Sequence, residues 1–125
     1  MAQTKHDHIN EFRELIKTKE FIDSYAVVNH SPFDLIMFPP INDEAPPVPI
    51  IAKFIVSKQK KMFLSHYKPQ INKLQELSED YGLPAVLIVR FRGTPQLPVS
   101  YSICQIRKTM PIFIKRNPEQ DITYL

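Results

Sequence analysis

The side chains best suited to binding in this chain are basic. Six of them form the main group of candidates in its second half: Lys58, Lys60, Lys61, Lys68, Arg90 and Arg92. Residues 58–125 have a formal charge of +6, whereas residues 1–57 have −3. A basic half of this kind suits contact with a phosphate backbone or an acidic protein. A solvated, lysine-rich surface is the alternative interpretation.

The remaining composition excludes several other chemistries. The chain has only 2 glycines, so it lacks the glycine-rich loops that cradle phosphates. Its one cysteine, Cys104, cannot form an internal disulfide, and we therefore expect a reducing, cytoplasmic location. The sequence contains no run of 18 apolar residues, so it predicts no membrane-spanning helix. A length of 125 residues with 43% hydrophobic and 23% charged residues predicts a single folded domain over residues 1–125.

The first half predicts a helix followed by three strands. Ile9, Phe12, Leu15 and Ile16 recur at helical spacing, which predicts a helix over residues 7–20. Short β-branched or apolar runs follow, and we expect a hairpin of two strands and then a third strand buried on both faces. The three predicted strands cover residues 25–29, 33–38 and 50–57. Between the second and third lies a stiff loop with five prolines.

The second half predicts a helix and two further strands. An apolar stripe predicts a helix over residues 66–81, which Gly82 and Pro84 end. Residues 85–91 are almost continuously apolar and predict a central strand, at whose end Arg90 and Arg92 would share one face. Residues 58–61 are expected to form a basic connector. The other predictions are a strand over 99–106, a short edge strand at 112–114 and a mobile tail over 115–125.

This order, α-β-β-β-α-β-β, indicates an α/β fold with a mixed β-sheet flanked by helices. It resembles the archaeal Holliday-junction resolvases, which have the restriction-endonuclease-like, PD-(D/E)xK fold. The resemblance extends over about residues 9–106, and four segments support it: FRELIKTKEF, AVVNHSPFDLI, IIAKFIVSK and INKLQELSEDYGLPAVLIVRF.

The resemblance implies Mg²⁺-dependent cleavage of branched DNA by a homodimer. In that family a helix glutamate, a strand aspartate and a Glu-x-Lys pair hold the metal and activate water. Asp34 matches the aspartate, and Glu11 lies near the helix glutamate. Lys53 falls on the third strand, either in the place of the acid, with Ile55 in place of the lysine, or in the place of the lysine itself.

The third strand supplies no acid in either alignment. No Asp or Glu occurs between Glu44 and Glu76. We therefore expect Asp34, Lys53 and Glu11 to be the remnant of a catalytic site, with Asp34 a weak metal ligand and no cofactor required. Asp34 could equally cap a turn or pair with Lys53.

Three hypotheses follow. The preferred one is a resolvase-like paralogue without catalysis, which binds branched or double-stranded DNA and assists recombination and repair proteins. The first alternative is an active, Mg²⁺-dependent endonuclease whose missing acid comes from elsewhere, for example from Asp43, Glu44 or Glu76. The second alternative is a protein–protein adaptor that has kept only the scaffold, because fold alone does not determine function.

Overall fold

The computed structural model describes residues 3–27, 31–39 and 48–125. In chain order, the elements in these residues are α1 (Lys5–Glu20), β1 (Asp23–Ala26), β2 (Leu35–Phe38), β3 (Ile50–Ser57), β4 (Lys61–Phe63), a 3-10 turn (Leu64–Tyr67), α2 (Lys68–Tyr81), β5 (Ala85–Phe91), β6 (Ser100–Gln105), β7 (Phe113–Lys115) and β8 (Ile122–Tyr124). The predicted order of helices and strands is confirmed, and the short strands β4 and β8 are additions to it.

Six strands form one mixed sheet in the order β1-β2-β3-β5-β6-β8. The pairs β1–β2, β2–β3 and β5–β6 are antiparallel, whereas β3–β5 and β6–β8 are parallel. The parallel pair β3–β5 is joined through α2, as expected for a crossover helix. The predicted α/β class, a mixed sheet flanked by helices, is therefore confirmed. Among the described residues, neither helix is long and apolar enough to cross a membrane.

Each face of the sheet is covered by one helix. Ile71 and Leu74 of α2 pack on one face, and Phe12 and Ile16 of α1 pack on the other. Because both faces are covered, every residue of β5 is buried, which explains its nearly continuous apolar sequence. The α1 face is centred on an aromatic cluster in which the Phe12 and Tyr101 ring centroids are 4.9 Å apart.

Local sequence signals explain where the helices begin and end. Thr4 and Asp7 form a capping box at the start of α1, in which each side chain accepts a hydrogen bond from the other residue's backbone N–H. The helix α2 ends at Gly82, which has a φ of 64° in the left-handed region that glycine adopts without strain. Pro84 then prevents the helix from continuing.

Two expectations about the short strands need correction. The predicted connector over residues 58–61 leads directly into β4, which pairs antiparallel with β7 as a separate two-stranded ribbon. The tail over residues 115–125 is not wholly a mobile extension, because β8 pairs with β6 and Leu125 N–H donates to Ile103 O at 2.8 Å. A strand of three residues is too short for its alternating apolar and polar pattern to be distinguished from the flanking sequence.

The aromatic cluster predicts a large cost for removing Phe12. This ring is fully buried between the sheet and α1 and also lies 5.8 Å from the Phe54 ring, centroid to centroid. We expect Phe12→Ala to lower the free energy of unfolding by about 3–5 kcal/mol. Urea denaturation followed by circular dichroism measures this. The exposed Glu14→Ala on the same helix is the control and should change stability by less than about 0.5 kcal/mol.

Candidate functional site

The basic residues collect at the end of the sheet where the parallel strands β3 and β5 terminate together. Ser57 and Phe91 are register partners at this end, and Arg92 N–H donates to Ser57 O at 3.2 Å. The chain then turns through residues 58–61 on one side and leaves at Arg92 on the other. We call this region, with its four exposed residues Lys58, Lys60, Lys61 and Arg92, the basic end.

Asp34 lies immediately before β2 and opposite Lys53 of β3. Its N–H donates to Ala52 O at 2.8 Å, which continues the β2–β3 ladder by one step beyond the Leu35–Ala52 pair. Its carboxylate accepts a hydrogen bond from Phe54 N–H at 2.8 Å. The sheet register therefore fixes the carboxylate on the third strand, where the Lys53 side chain reaches it.

Two ammonium groups contact the same carboxylate oxygen. Lys53 Nζ lies 3.4 Å and Lys5 Nζ 3.1 Å from Asp34 Oδ2. The Asp34 and Lys53 side chains are only 16% and 18% exposed, whereas that of Lys5 is 45% exposed. We call these three residues the Asp34 cluster; it has one negative and two positive groups. Lys5 is the first residue of α1, and its participation was not predicted, because it precedes the helix predicted over residues 7–20 and nothing in the sequence connects it with Asp34.

Burial and the charge of Asp34 act in opposite directions on the pKa of Lys5. Desolvation lowers the pKa of the Lys5 ammonium, and the neighbouring Lys53 ammonium lowers it further. The Asp34 carboxylate raises the pKa and partly offsets these effects. The Asp34 carboxylate therefore offsets only part of the positive charge of Lys5 and Lys53, and the cluster has a formal net charge of +1.

The residues of this site do not fit a divalent metal ion. Mg²⁺ takes about six oxygen ligands and is held in proteins by one or two carboxylates, with waters among the remaining ligands. Asp34 is the only carboxylate in contact with Lys5 or Lys53 among the described residues, and its Oδ2 atom already contacts two ammonium groups, whose positive charge opposes a cation there. Within residues 3–27, 31–39 and 48–125, no three His, Cys, Asp or Glu side chains converge as a metal site would require.

The other predicted acids lie elsewhere. Glu11 is on the exposed side of α1, where it accepts a hydrogen bond from Gln3. Glu76 is exposed on α2 and pairs with Lys73 at 3.7 Å. The structure therefore does not join Glu11 to Asp34 and Lys53. Asp43 and Glu44, named as possible replacements, fall outside the described residues.

Arg90 is a correction to the predicted binding surface. It is only 8% exposed and is the register partner of Val56 on one side and Tyr101 on the other. Burial raises the pKa of the Tyr101 hydroxyl, and the Arg90 guanidinium beside it acts in the opposite direction. The expected exposure of Arg90 was wrong because β5 is covered to its last residue, so that only Arg92 lies beyond the strand and reaches solvent. Lys68 is exposed at the first residue of α2, next to the 3-10 turn.

A buried arginine that sequence analysis missed holds the basic end together. Arg116 is 7% exposed, and its guanidinium donates to Arg92 O at 2.7 Å and to Pro98 O. Arg116 N–H also donates to Lys60 O at 2.8 Å. These bonds fasten the chain after β7 to both connections of the basic end. No sequence signal distinguished Arg116 from Lys115, the other base of the tail over residues 115–125.

Comparison with known proteins shows a structural similarity between this chain and a solved structure. The chain is similar to the structure of Hjc, a Holliday junction resolvase from the archaeal hyperthermophile Archaeoglobus fulgidus, with 10% sequence identity and a TM-score of 0.49. The match covers 85% of this chain and 82% of that one. No protein-family model matches the chain, and no curated protein matches it in sequence.

The Asp34 cluster predicts opposite shifts of the Lys5 pKa in two variants. In the wild type we expect the pKa of Lys5 to lie below the ordinary lysine value, because desolvation lowers it. Asp34→Asn removes the charge that raises the Lys5 pKa, so the pKa should fall further. Lys53→Met removes the charge that lowers it, so the pKa should rise. Lysine side-chain NMR over a pH range of about 7–12 measures both shifts, with the Lys5 signal assigned from its loss in Lys5→Arg. Equal shifts at Lys17 would contradict the predicted coupling.

Proposed function

We propose that this protein binds DNA without cutting it, on a scaffold like that of the archaeal Holliday-junction resolvases. One observation supports the loss of catalysis most strongly: Lys5 and Lys53 place two ammonium groups on the carboxylate of Asp34. The sequence resemblance supports the class of protein. The basic end supports a polyanion as the ligand.

Lys53 explains why the scaffold would be inactive. It is opposite Asp34 in the sheet register. One of the two alignments of the resemblance gives this position to the acidic partner of that aspartate, and the other gives it to the catalytic lysine and leaves Ile51 in place of the acid. The Lys53 ammonium supplies a positive charge where a metal ion would sit, and it supplies no oxygen ligand. A cation fixed to the chain compensates Asp34, so the fold needs no metal to keep this carboxylate half-buried.

The exposed cations of the basic end would contact phosphates. Lys58, Lys60 and Arg92 extend from connections that backbone hydrogen bonds and Arg116 hold in place. Phosphate contacts of this kind position a protein on DNA without reading its sequence. The preferred ligand in this proposal is branched DNA, for which the sequence resemblance is the reason. The same resemblance suggests a homodimer that assists recombination or repair enzymes, and a twofold dimer would present two basic ends to a symmetric junction.

A paired binding and cleavage assay tests this proposal. The chain is incubated with a four-way junction and a linear duplex, with and without Mg²⁺ or Mn²⁺. We expect binding in both conditions and no cleavage in either. The triple variant Lys58→Ala, Lys60→Ala, Arg92→Ala should bind about tenfold or more weakly. Its affinity should also depend less on salt, with the slope of log K against log salt reduced by up to about 3.

The matched control replaces three exposed lysines that are not part of the basic end, with the substitutions Lys17→Ala, Lys73→Ala and Lys108→Ala. It has the same net charge as the test variant and should keep most of the affinity. Metal-dependent cleavage that Asp34→Ala abolishes would identify an active nuclease instead. Absence of binding to any DNA at moderate salt would favour the adaptor hypothesis.

Replacing the lysines of the Asp34 cluster should create a metal site that the wild type lacks. The double variant Lys5→Gln, Lys53→Glu removes both ammonium groups and adds a carboxylate across from Asp34. We expect millimolar Mn²⁺ to raise its melting temperature by a few degrees, corresponding to about 1–3 kcal/mol of linked binding energy. Lys5→Gln, Lys53→Gln is the control without the new acid. A saturable Mn²⁺ stabilisation of the wild type, lost in Asp34→Asn, would refute the proposed role of Lys53.

A further inference from the structure

The two-stranded ribbon of β4 and β7 has an unusual outer face. Side chains alternate along each strand, so Met62 and Ile114 point inward and are buried, while their neighbours point outward. The outward set, which we call the ribbon face, contains two register pairs: Lys61 with Lys115, and Phe63 with Phe113.

The two phenylalanine rings remain open to solvent. Phe63 is 43% and Phe113 40% exposed, and their ring centroids are 6.1 Å apart with the ring planes at 60°. Lys61 Nζ lies 3.9 Å from the centroid of Phe113 and 5.2 Å from that of Phe63. The face therefore combines two aromatic surfaces with a cation that already lies over one of them.

Anchoring of the ribbon in the core does not depend on these outer side chains. Met62 and Ile114 already anchor the ribbon in the core, so Phe63 and Phe113 are not needed for burial. Lys61 and Lys115 are direct cross-strand partners, and like charges in that position are destabilising. Exposed rings beside paired like charges instead suit a ligand that has flat apolar surfaces and negative charge.

We propose that the ribbon face binds unpaired bases of a nucleic acid strand, which stack on Phe63 and Phe113 while Lys61 and Lys115 contact the phosphates. Aromatic stacking beside basic residues is the general means by which proteins hold single strands without reading their sequence. The long Lys61 side chain would leave the Phe113 ring to a base and turn to a phosphate. This inference extends the proposed function and rests on it, since it assigns the unpaired part of a branched DNA to a surface that adjoins the basic end and shares Lys61 with it.

The location and charge of the ribbon favour this occupant. Arg116 N–H donates to Lys60 O, so the ribbon continues directly from the basic end. A strand that leaves a duplex held at the basic end would therefore meet the ribbon face. A second copy of this chain fits less well, because a twofold contact between ribbon faces would bring Lys61 and Lys115 against the same cations of the copy.

A single introduced tryptophan tests the stacking directly. The chain contains no tryptophan, so Phe113→Trp provides one fluorophore on the ribbon face. We expect a single-stranded oligonucleotide to quench this fluorescence saturably, while an abasic oligomer of the same length and charge quenches little. In the otherwise unchanged chain, Phe63→Leu with Phe113→Leu should weaken single-strand binding about tenfold or more. The same pair should leave the affinity for abasic oligomer and for linear duplex within about twofold, because phosphate contacts remain.

The control replaces an exposed aromatic residue outside the ribbon. Tyr81 is 64% exposed at the end of α2, and Tyr81→Leu should leave single-strand binding unchanged. Thermal denaturation checks that the leucine variants fold. Duplex binding by the Phe113→Trp variant, without quenching of its tryptophan by single strands, would overturn this inference and leave the proposed function intact. Absence of any nucleic acid binding by the wild-type protein would overturn both proposals. Concentration-dependent dimerisation that the leucine pair abolishes would assign the face to a second copy.

Discussion

The electrostatics of the Asp34 cluster depend on one interaction, the contact of two lysine ammonium groups with a single, largely buried carboxylate. Asp34 is 16% exposed and cannot keep its charge there without compensation. The compensation comes from Lys53 on the neighbouring strand, Lys5 on α1 and the backbone N–H of Phe54. Since every one of these groups belongs to the chain, the charge of Asp34 is balanced without any bound ion.

The sheet register is what makes this pairing possible. Asp34 sits one step beyond the Leu35–Ala52 pair, so the side chains of Asp34 and Lys53 share a face. A shift by one residue would turn Lys53 to the other face, where α1 and the aromatic rings of Phe12 and Phe54 pack. The apolar pattern of β3 disfavours such a shift, because the shift would move Ile51 and Ile55 out of the core beneath α2. Packing of hydrocarbon therefore determines where the charges meet.

The sequence predicted the long elements well, because their signals are repeated over several residues. The bounds of β3 and β5 agree with residues 50–57 and 85–91, since long apolar runs between turn residues leave little choice. The pairing of Asp34 with Lys53 was also among the expectations. Contacts that join distant parts of the chain were not predictable. Lys5 and Arg116 are ordinary bases in the sequence, and only the fold brings them to Asp34 and to Arg92.

Burial explains why the two arginines at the end of β5 have different roles. Arg90 still lies between β3 and β6, where its stem is covered, whereas Arg92 follows the last residue of the strand and reaches solvent. Strand alternation places both on one face, yet the extent of neighbouring strands decides which of them is exposed. Three of the four residues of the basic end therefore follow strands, and the fourth, Lys61, is the first residue of β4. This explains why Lys58, Lys60 and Arg92 are free to contact a large polyanion that could not enter the sheet.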